Sequence, residues 1–332
     1  MENKKRSVYL RSVAGAALVS LGIAFGTGVS PNIKSPEYIS SENVSESAVY
    51  ENAARVGTEE SDAGARARKI NYNLPGIPSR NLSYYNSKAV RYGTSTLTTR
   101  APIINGIVYL SVREIAEKVA GARVTYNKNT KTVTVSASGL YLSATDAGFV
   151  IYANDRPLFS FSPTIVMSNG EVYAPASALE KALGIKRSAD TSSEIRYTGS
   201  YKPLLSAKNY YREDEVYWLS KIISAESSGE SLLGQIAVGD VILNRVKSPL
   251  FPNTIYSVIF DRKYGVQFSP TADGRIYASP TYTATLAAKI CLEGISLSDD
   301  AMYFLNPRVA QSNWIVNNRP YVYTIGNHDF YR

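Results

Sequence analysis

The chain has 332 residues, 44% of them hydrophobic, enough for two domains with a core each. One cysteine excludes an internal disulfide framework, and Cys291 with the lone His328 falls short of the several His or Cys ligands that a zinc hydrolase requires, so no cofactor is expected. The net charge of +8 suits an anionic partner, either a membrane surface or a cell-wall polymer; no run of Lys and Arg interleaved with aromatics speaks for nucleic acid.

The N-terminus is basic (Lys4, Lys5, Arg6, Arg11) and is followed by an uncharged stretch, Ser12 to Ile33, rich in Ala, Gly, Leu and Val. This is the layout of a secretory signal, with Ala24 and Gly26 as small residues near a cleavage point. Residues 1–30 are therefore expected to be a signal peptide, or a membrane anchor if uncleaved, and the body of the protein is expected in the bacterial envelope, as a secreted, wall-associated or spore protein. Residues 31–99 are polar and poor in large aliphatics, first acidic and then basic, and read as a disordered linker.

From residue 100 to 198 the pattern changes. Ile103 to Leu110 reads as two strands around an Asn105-Gly106 corner, followed by a helix with Val112, Ile115, Ala116 and Val119 on one face and Gly121 past its end. A hairpin follows, with strands 123–126 and 132–135. The order then recurs: Asn169-Gly170 in a corner, a helix through Leu179, Ala182 and Leu183 stopped by Gly184, and strands 185–188 and 195–197. These units resemble the copper amine oxidase N-terminal domain, a stalk-type module of secreted bacterial wall proteins. The resemblance implies a spacer or docking module for other envelope polymers or proteins, without copper.

Residues 206–332 predict a mainly helical domain. Helices are expected over about 213–226, with Val216, Leu219, Ile222 and Ile223 in period, over about 231–247, and over 255–260. Ser227, Ser228 and Gly229 continue a helix poorly, so Glu226 should end the first; Ser228 or Ser231 caps the second. Residues 267–277 read as a strand or hairpin, and Ser279-Pro280 as the opening of a further helix carrying Leu286, Ala287, Ile290 and Cys291.

Ordered motifs run through this region: Ala225-Glu226 and Gly229-Glu230, Gly234-Gln235 with Ala237-Val238, Val241 to Val246, Phe251 to Thr254, Gln267 to Ser269, Tyr303-Phe304 with Asn306-Pro307, and Ile325 to Tyr331. Together they are similar to the SleB/CwlJ family of cell-wall and spore-cortex hydrolases. The resemblance implies an α+β multidomain protein with a β-rich hairpin and helix module ahead of a mainly helical, lysozyme-like α+β catalytic domain, peptidoglycan as substrate, and Glu226 as the essential acid. Ser227-Ser228 departs from the Ala-Arg common in that family.

Glycan cleavage needs a proton donor at the glycosidic oxygen, and a carboxyl in a partly apolar pocket stays protonated near neutral pH. Glu226 at a helix end suits that task. Two-carboxylate hydrolysis needs a second acid, for which Glu230 and Asp273 are the candidates; a lytic transglycosylase needs none, because the muramic acid C6 hydroxyl attacks C1, and the resemblance, to a family that includes such enzymes, favours this route. Gln235, Ser269, Asn306 and Asn327 are expected to hold sugar polar groups, Tyr303 and Trp314 to offer ring faces, and Glu230, Phe268 and His328 to complete the groove. The alternative is a wall-binding protein whose enzyme-like domain has lost activity.

Overall fold

The computed structural model describes residues 85–146, 148–310 and 312–332. The expected signal segment and most of the expected linker lie outside them. Among the described residues no helix is long and apolar enough to cross a membrane.

The Asn-Gly corners behave as the sequence predicts. Asn105 and Gly106 have φ of 51° and 78°, Asn169 and Gly170 of 51° and 80°, the left-handed pairs that a tight hairpin turn requires. The corners join β3 (Ala101–Ile104) to β4 (Ile107–Ser111), and β10 (Val166–Ser168) to β11 (Glu171–Pro175). Each hairpin feeds a helix, α1 (Val112–Ala120) and α2 (Ala176–Leu183), stopped by a left-handed glycine, Gly121 or Gly184. Strands β4 and β11 pair antiparallel, so the two repeats meet edge to edge.

One boundary moves. Ser87–Tyr92, expected as linker, is strand β1; it runs parallel to β13 (Glu194–Thr198), pairs with β3, and is backed by the short β2 (Ser95–Thr96). With β12 (Lys186–Asp190) these strands make a sheet in the order β10-β11-β4-β3-β1-β13-β12, β2 lying beside β1. A five-stranded meander covers the middle of the module: β5 (Arg123–Asn127), β6 (Thr132–Ala137), β7 (Leu140–Thr145), β8 (Val150–Ala153) and β9 (Arg156–Phe159). Only its first two strands were evident in the sequence.

The C-terminal region is helical, as expected. After a short α3 (Ala207–Tyr210) come α4 (Glu213–Ser227), α5 (Leu232–Lys247) and α6 (Ile255–Ile259). Ser231 caps α5, its hydroxyl accepting from the Gly234 N–H. Residues 267–277 are not a hairpin: Pro270–Asp273 is a helical turn, α7, and Arg275–Tyr277 a 3₁₀ turn, hinged on Gly274 at φ 84°. Helix α8 (Tyr282–Leu292) starts two residues later than Pro280 suggested, because Thr281 supplies the cap, accepting from Ala284 N–H. The tail folds as β14 (Tyr303–Leu305), a short α9 (Trp314–Asn318), and a hairpin of β15 (Tyr321–Ile325) and β16 (His328–Tyr331), with β16 central in the three-stranded sheet.

Leu219, Ile222 and Ile223 of α4, Ile236, Ala237, Val241 and Ile242 of α5, and Ala284, Ala287 and Ile290 of α8 are fully buried and form one core. Their contact is close at Gly239: a Cβ there would sit 2.7 Å from Cys291 Sγ and 2.9 Å from Ile223 Cδ1. Cys291 is buried in this core with its thiol raised by burial, which fits a packing role and not a nucleophile's.

Candidate active site

Glu226 lies in the last turn of α4, on the stripe that carries Leu219, Ile222 and Ile223 into the core. A carboxyl thus stands where the helical period calls for an apolar side chain. The helix runs one residue past it. Ser227 is buried with its hydroxyl donating to the Ile223 carbonyl (2.7 Å), and Ser228 is exposed.

Residues 269–281 form a strap over the end of α4. Lys221 Nζ donates to the carbonyls of Tyr277 (3.0 Å) and Ala278 (2.8 Å), and Thr281 N–H donates to Ser224 Oγ (3.1 Å). Arg275 closes the strap: one terminal nitrogen donates to the Ala225 carbonyl (3.3 Å), the other to Ser269 Oγ (3.2 Å), and Nε pairs with Asp273 (2.9 Å).

Under this strap Glu226 is half-buried, and among the described residues no group hydrogen-bonds its carboxyl. Burial raises its pKa from the ordinary 4.5 to about 7; the Arg275 charge opposes the rise and the Asp273 charge adds to it. Asp273 itself is exposed and held low, by the Arg275 backbone N–H first and then by its guanidinium. Burial thus favours the protonated form near neutral pH, the state a general acid needs.

Glu230 does other work. Its carboxyl accepts from the Asn327 side chain (2.9 Å) and the Asn327 backbone N–H (3.3 Å), and lies 3.6 Å from His328 Nδ1. It pins the β15–β16 turn to the α4–α5 junction. The approach is so close that a Cβ on Gly326 would fall 1.9 Å from Glu230 Oε2.

Several expected groove residues are not at a surface. Gln235 is 2% exposed; its amide donates to the Glu230 carbonyl (2.9 Å), and it braces the junction. Phe268 is 3% exposed and packs on Phe304 and under the Arg245 guanidinium. His328 is buried against Phe304, and burial lowers its pKa, keeping it neutral. These three lie in the interior and offer little surface to a ligand; a motif residue's type does not say which side of its helix or strand it faces.

Ser269, Asn327 and Trp314 are exposed, and Tyr303 is partly so. Arg319 lies over the rings of both Tyr303 and Trp314, at 4.6 and 5.1 Å, and Arg245 also lies over Tyr303, at 5.2 Å, so of these two rings the exposed Trp314 is the one with surface for a ligand. Asn306 accepts from Arg308 N–H and shapes the turn after β14. Arg275 was missed in the sequence; the Asp273-Gly274-Arg275 turn was the available signal.

Residues 229–331 match the family described as Cell Wall Hydrolase. The C-terminal domain is a cell wall hydrolase domain. Residues 90–197 match the copper amine oxidase N-terminal domain. The chain is 41% identical over 122 residues to a spore cortex-lytic enzyme of Bacillus cereus, covering 37% of this chain and 46% of that protein, and 39% identical over 120 residues to that of Bacillus subtilis, covering 36% and 38%. It thus spans less than half the length of these relatives. The catalytic domain of the germination-specific lytic transglycosylase SleB from Bacillus anthracis aligns with 40% identity over 37% of this chain and 98% of that one, at a TM-score of 0.34.

Glu226 falls three residues before the matched hydrolase segment, outside what that match covers. Copper does not fit the N-terminal module. Neither His328 nor Cys291 belongs to it, and among the described residues no group of three or more His, Cys, Asp or Glu is placed to hold a metal.

Proposed function

We propose that this protein is an exported enzyme that cuts the glycan strands of peptidoglycan as a lytic transglycosylase, with Glu226 as acid and then base. The observation that carries this reading is a half-buried carboxyl to which no described residue hydrogen-bonds, its pKa pushed up to about 7 by burial. Protonated Glu226 gives its proton to the glycosidic oxygen as the C1–O4 bond breaks. The resulting carboxylate then takes the proton from the muramic acid C6 hydroxyl as its oxygen bonds to C1, giving a 1,6-anhydro end and restoring the acid. No water is consumed.

Neither candidate for a second carboxylate is free, which supports this route over two-carboxylate hydrolysis. Glu230 is committed to the β15–β16 turn and Asp273 to Arg275. The exposed ring of Trp314, with Ser269 and Asn327, offers ring and hydrogen-bonding contacts for sugars. Arg275 keeps a guanidinium beside Glu226 although positions 227 and 228 are serines, which favours the enzyme over a wall-binding protein with a dead site.

The test is muropeptide release from purified peptidoglycan by the wild type and by Glu226→Gln. A fall of about 100-fold or more, with wild-type products one water lighter than hydrolysed ends, is the expected result. Unchanged release by Glu226→Gln removes the assignment; product ends that contain the added water remove the transglycosylase step.

A further inference from the structure

The N-terminal module does not stand apart from the hydrolase domain as a spacer would. Phe159, from the last strand of the meander, is buried in the hydrolase core, and Phe149, Val150 and Phe161 pack against the same cluster. Phe159 and Phe161 meet edge to face at 5.1 Å. Four aromatic and aliphatic side chains of one domain are thus part of the interior of the other.

At the centre of this contact lies an ion cluster. Arg156 of β9, 2% exposed, grips Glu293 at the C-terminal cap of α8 with two parallel bonds, Nε to Oε1 at 2.7 Å and a terminal nitrogen to Oε2 at 2.8 Å. Lys181 of α2 reaches the same carboxyl (2.6 Å) and the Glu293 carbonyl (2.8 Å). The Tyr211 hydroxyl donates to Oε1 at 2.5 Å, and the Tyr210 ring lies 3.2 Å from the Arg156 guanidinium carbon. Desolvating an arginine and a glutamate is costly, and their bidentate geometry with Lys181 and Tyr211 offsets that cost only while both domains are in place.

Helix α8 carries the contact to the candidate site. Its far end, Thr281, donates to Ser224, two residues before Glu226, and Tyr282 beside it meets the module's Tyr152, hydroxyl to hydroxyl at 3.3 Å. Along its length α8 packs on α4 and, through Cys291 at Gly239, on α5.

We propose that the copper amine oxidase-type module is a clamp on helix α8, and through it on the Glu226 helix α4, so that the two domains fold and work as one unit. The folding part of this proposal stands whether or not Glu226 is catalytic; only its consequence for turnover rests on that reading. Arg156 is then a positioning residue, acting through α8.

The experiment is calorimetry and native-state hydrogen exchange on the full chain, wild type, Arg156→Met and Arg156→Lys. For the wild type one transition is expected over residues 85–332, with calorimetric and van't Hoff enthalpies in a ratio of about 1. Arg156→Met leaves part of the Glu293 charge unpaired; it should lower the midpoint by on the order of 10 °C or split the transition, and raise exchange in β9, α8 and the 220–228 segment of α4 together. Arg156→Lys should restore part of the protection. Two independent wild-type transitions would overturn the proposal. So would an Arg156→Met variant that loosens β9 while α8 and α4 stay as protected as in the wild type. If Arg156→Met does not fold, the wild-type exchange data decide, since a clamp requires β9 and α8 to open with the same free energy.

Discussion

Holding Glu226 half-buried has a stability cost that can be measured without any substrate. Its pKa rises from 4.5 to about 7 on folding, because burial disfavours the charged form. A group whose folded pKa is raised contributes its full stability below the unfolded pKa and loses it as pH rises through the folded one. The penalty therefore starts near pH 4.5, is complete somewhat above pH 7, and amounts to about 3 kcal/mol at about 1.4 kcal/mol per pH unit. Glu226→Gln keeps the shape and removes the charge. At pH 9 the variant should be more stable than the wild type by up to this amount, a midpoint gain of about 6–12 °C for a unit of this size. At pH 4 the two should melt within about 2 °C of each other. Thermal unfolding followed by circular dichroism at both pH values checks it. A Gln variant that gains the same at pH 4 and pH 9, or nothing at either, would mean the carboxyl is hydrated and would remove the basis of the acid assignment.

Arg275→Met takes away the charge that opposes the rise and frees Asp273, which adds to it. Because Arg275 is largely exposed, its effect is screened to about 0.5–1 kcal/mol, so the alkaline limb of the pH–rate profile should move up by about half a pH unit; a downward move contradicts the geometry. Gly326→Ala sets a Cβ 1.9 Å from Glu230 Oε2 at a φ of 58°, so the hairpin must part from the α4–α5 junction, and a loss of about 2 kcal/mol or more in denaturant unfolding is expected. Gly239→Ala crowds Cys291 and Ile223 where three helices meet and should cost about 1–3 kcal/mol by the same assay, with the fold unchanged by far-ultraviolet circular dichroism.

Local signals were legible and long-range ones were not. Asn105-Gly106 and Asn169-Gly170 named their turns because only a few residues accept two successive positive φ angles, and the stripe of Leu219, Ile222 and Ile223 named α4 with Glu226 near its end; that Glu226 continues the stripe is seen in the fold. Residues 267–277 were misread because Gly274 in the left-handed region separates two helical turns, a break that looks the same in sequence as a hairpin corner. The burial of Gln235 and Phe268 depends on what packs over them from residues far along the chain. Arg156 and Glu293 lie 137 residues apart, and neither residue type predicts burial, so the bond that joins the domains leaves no local trace.

The bond between Glu230 and Asn327 spans 97 residues, and the strand that follows it is the middle one of its sheet. A nascent chain reaches α4 long before it reaches β16. Until that hairpin emerges, the Glu230 carboxyl lacks its Asn327 bonds and the α4–α5 junction lacks that anchor. The junction that follows the Glu226 helix is thus set only once residues 97 positions downstream of Glu230 have been made.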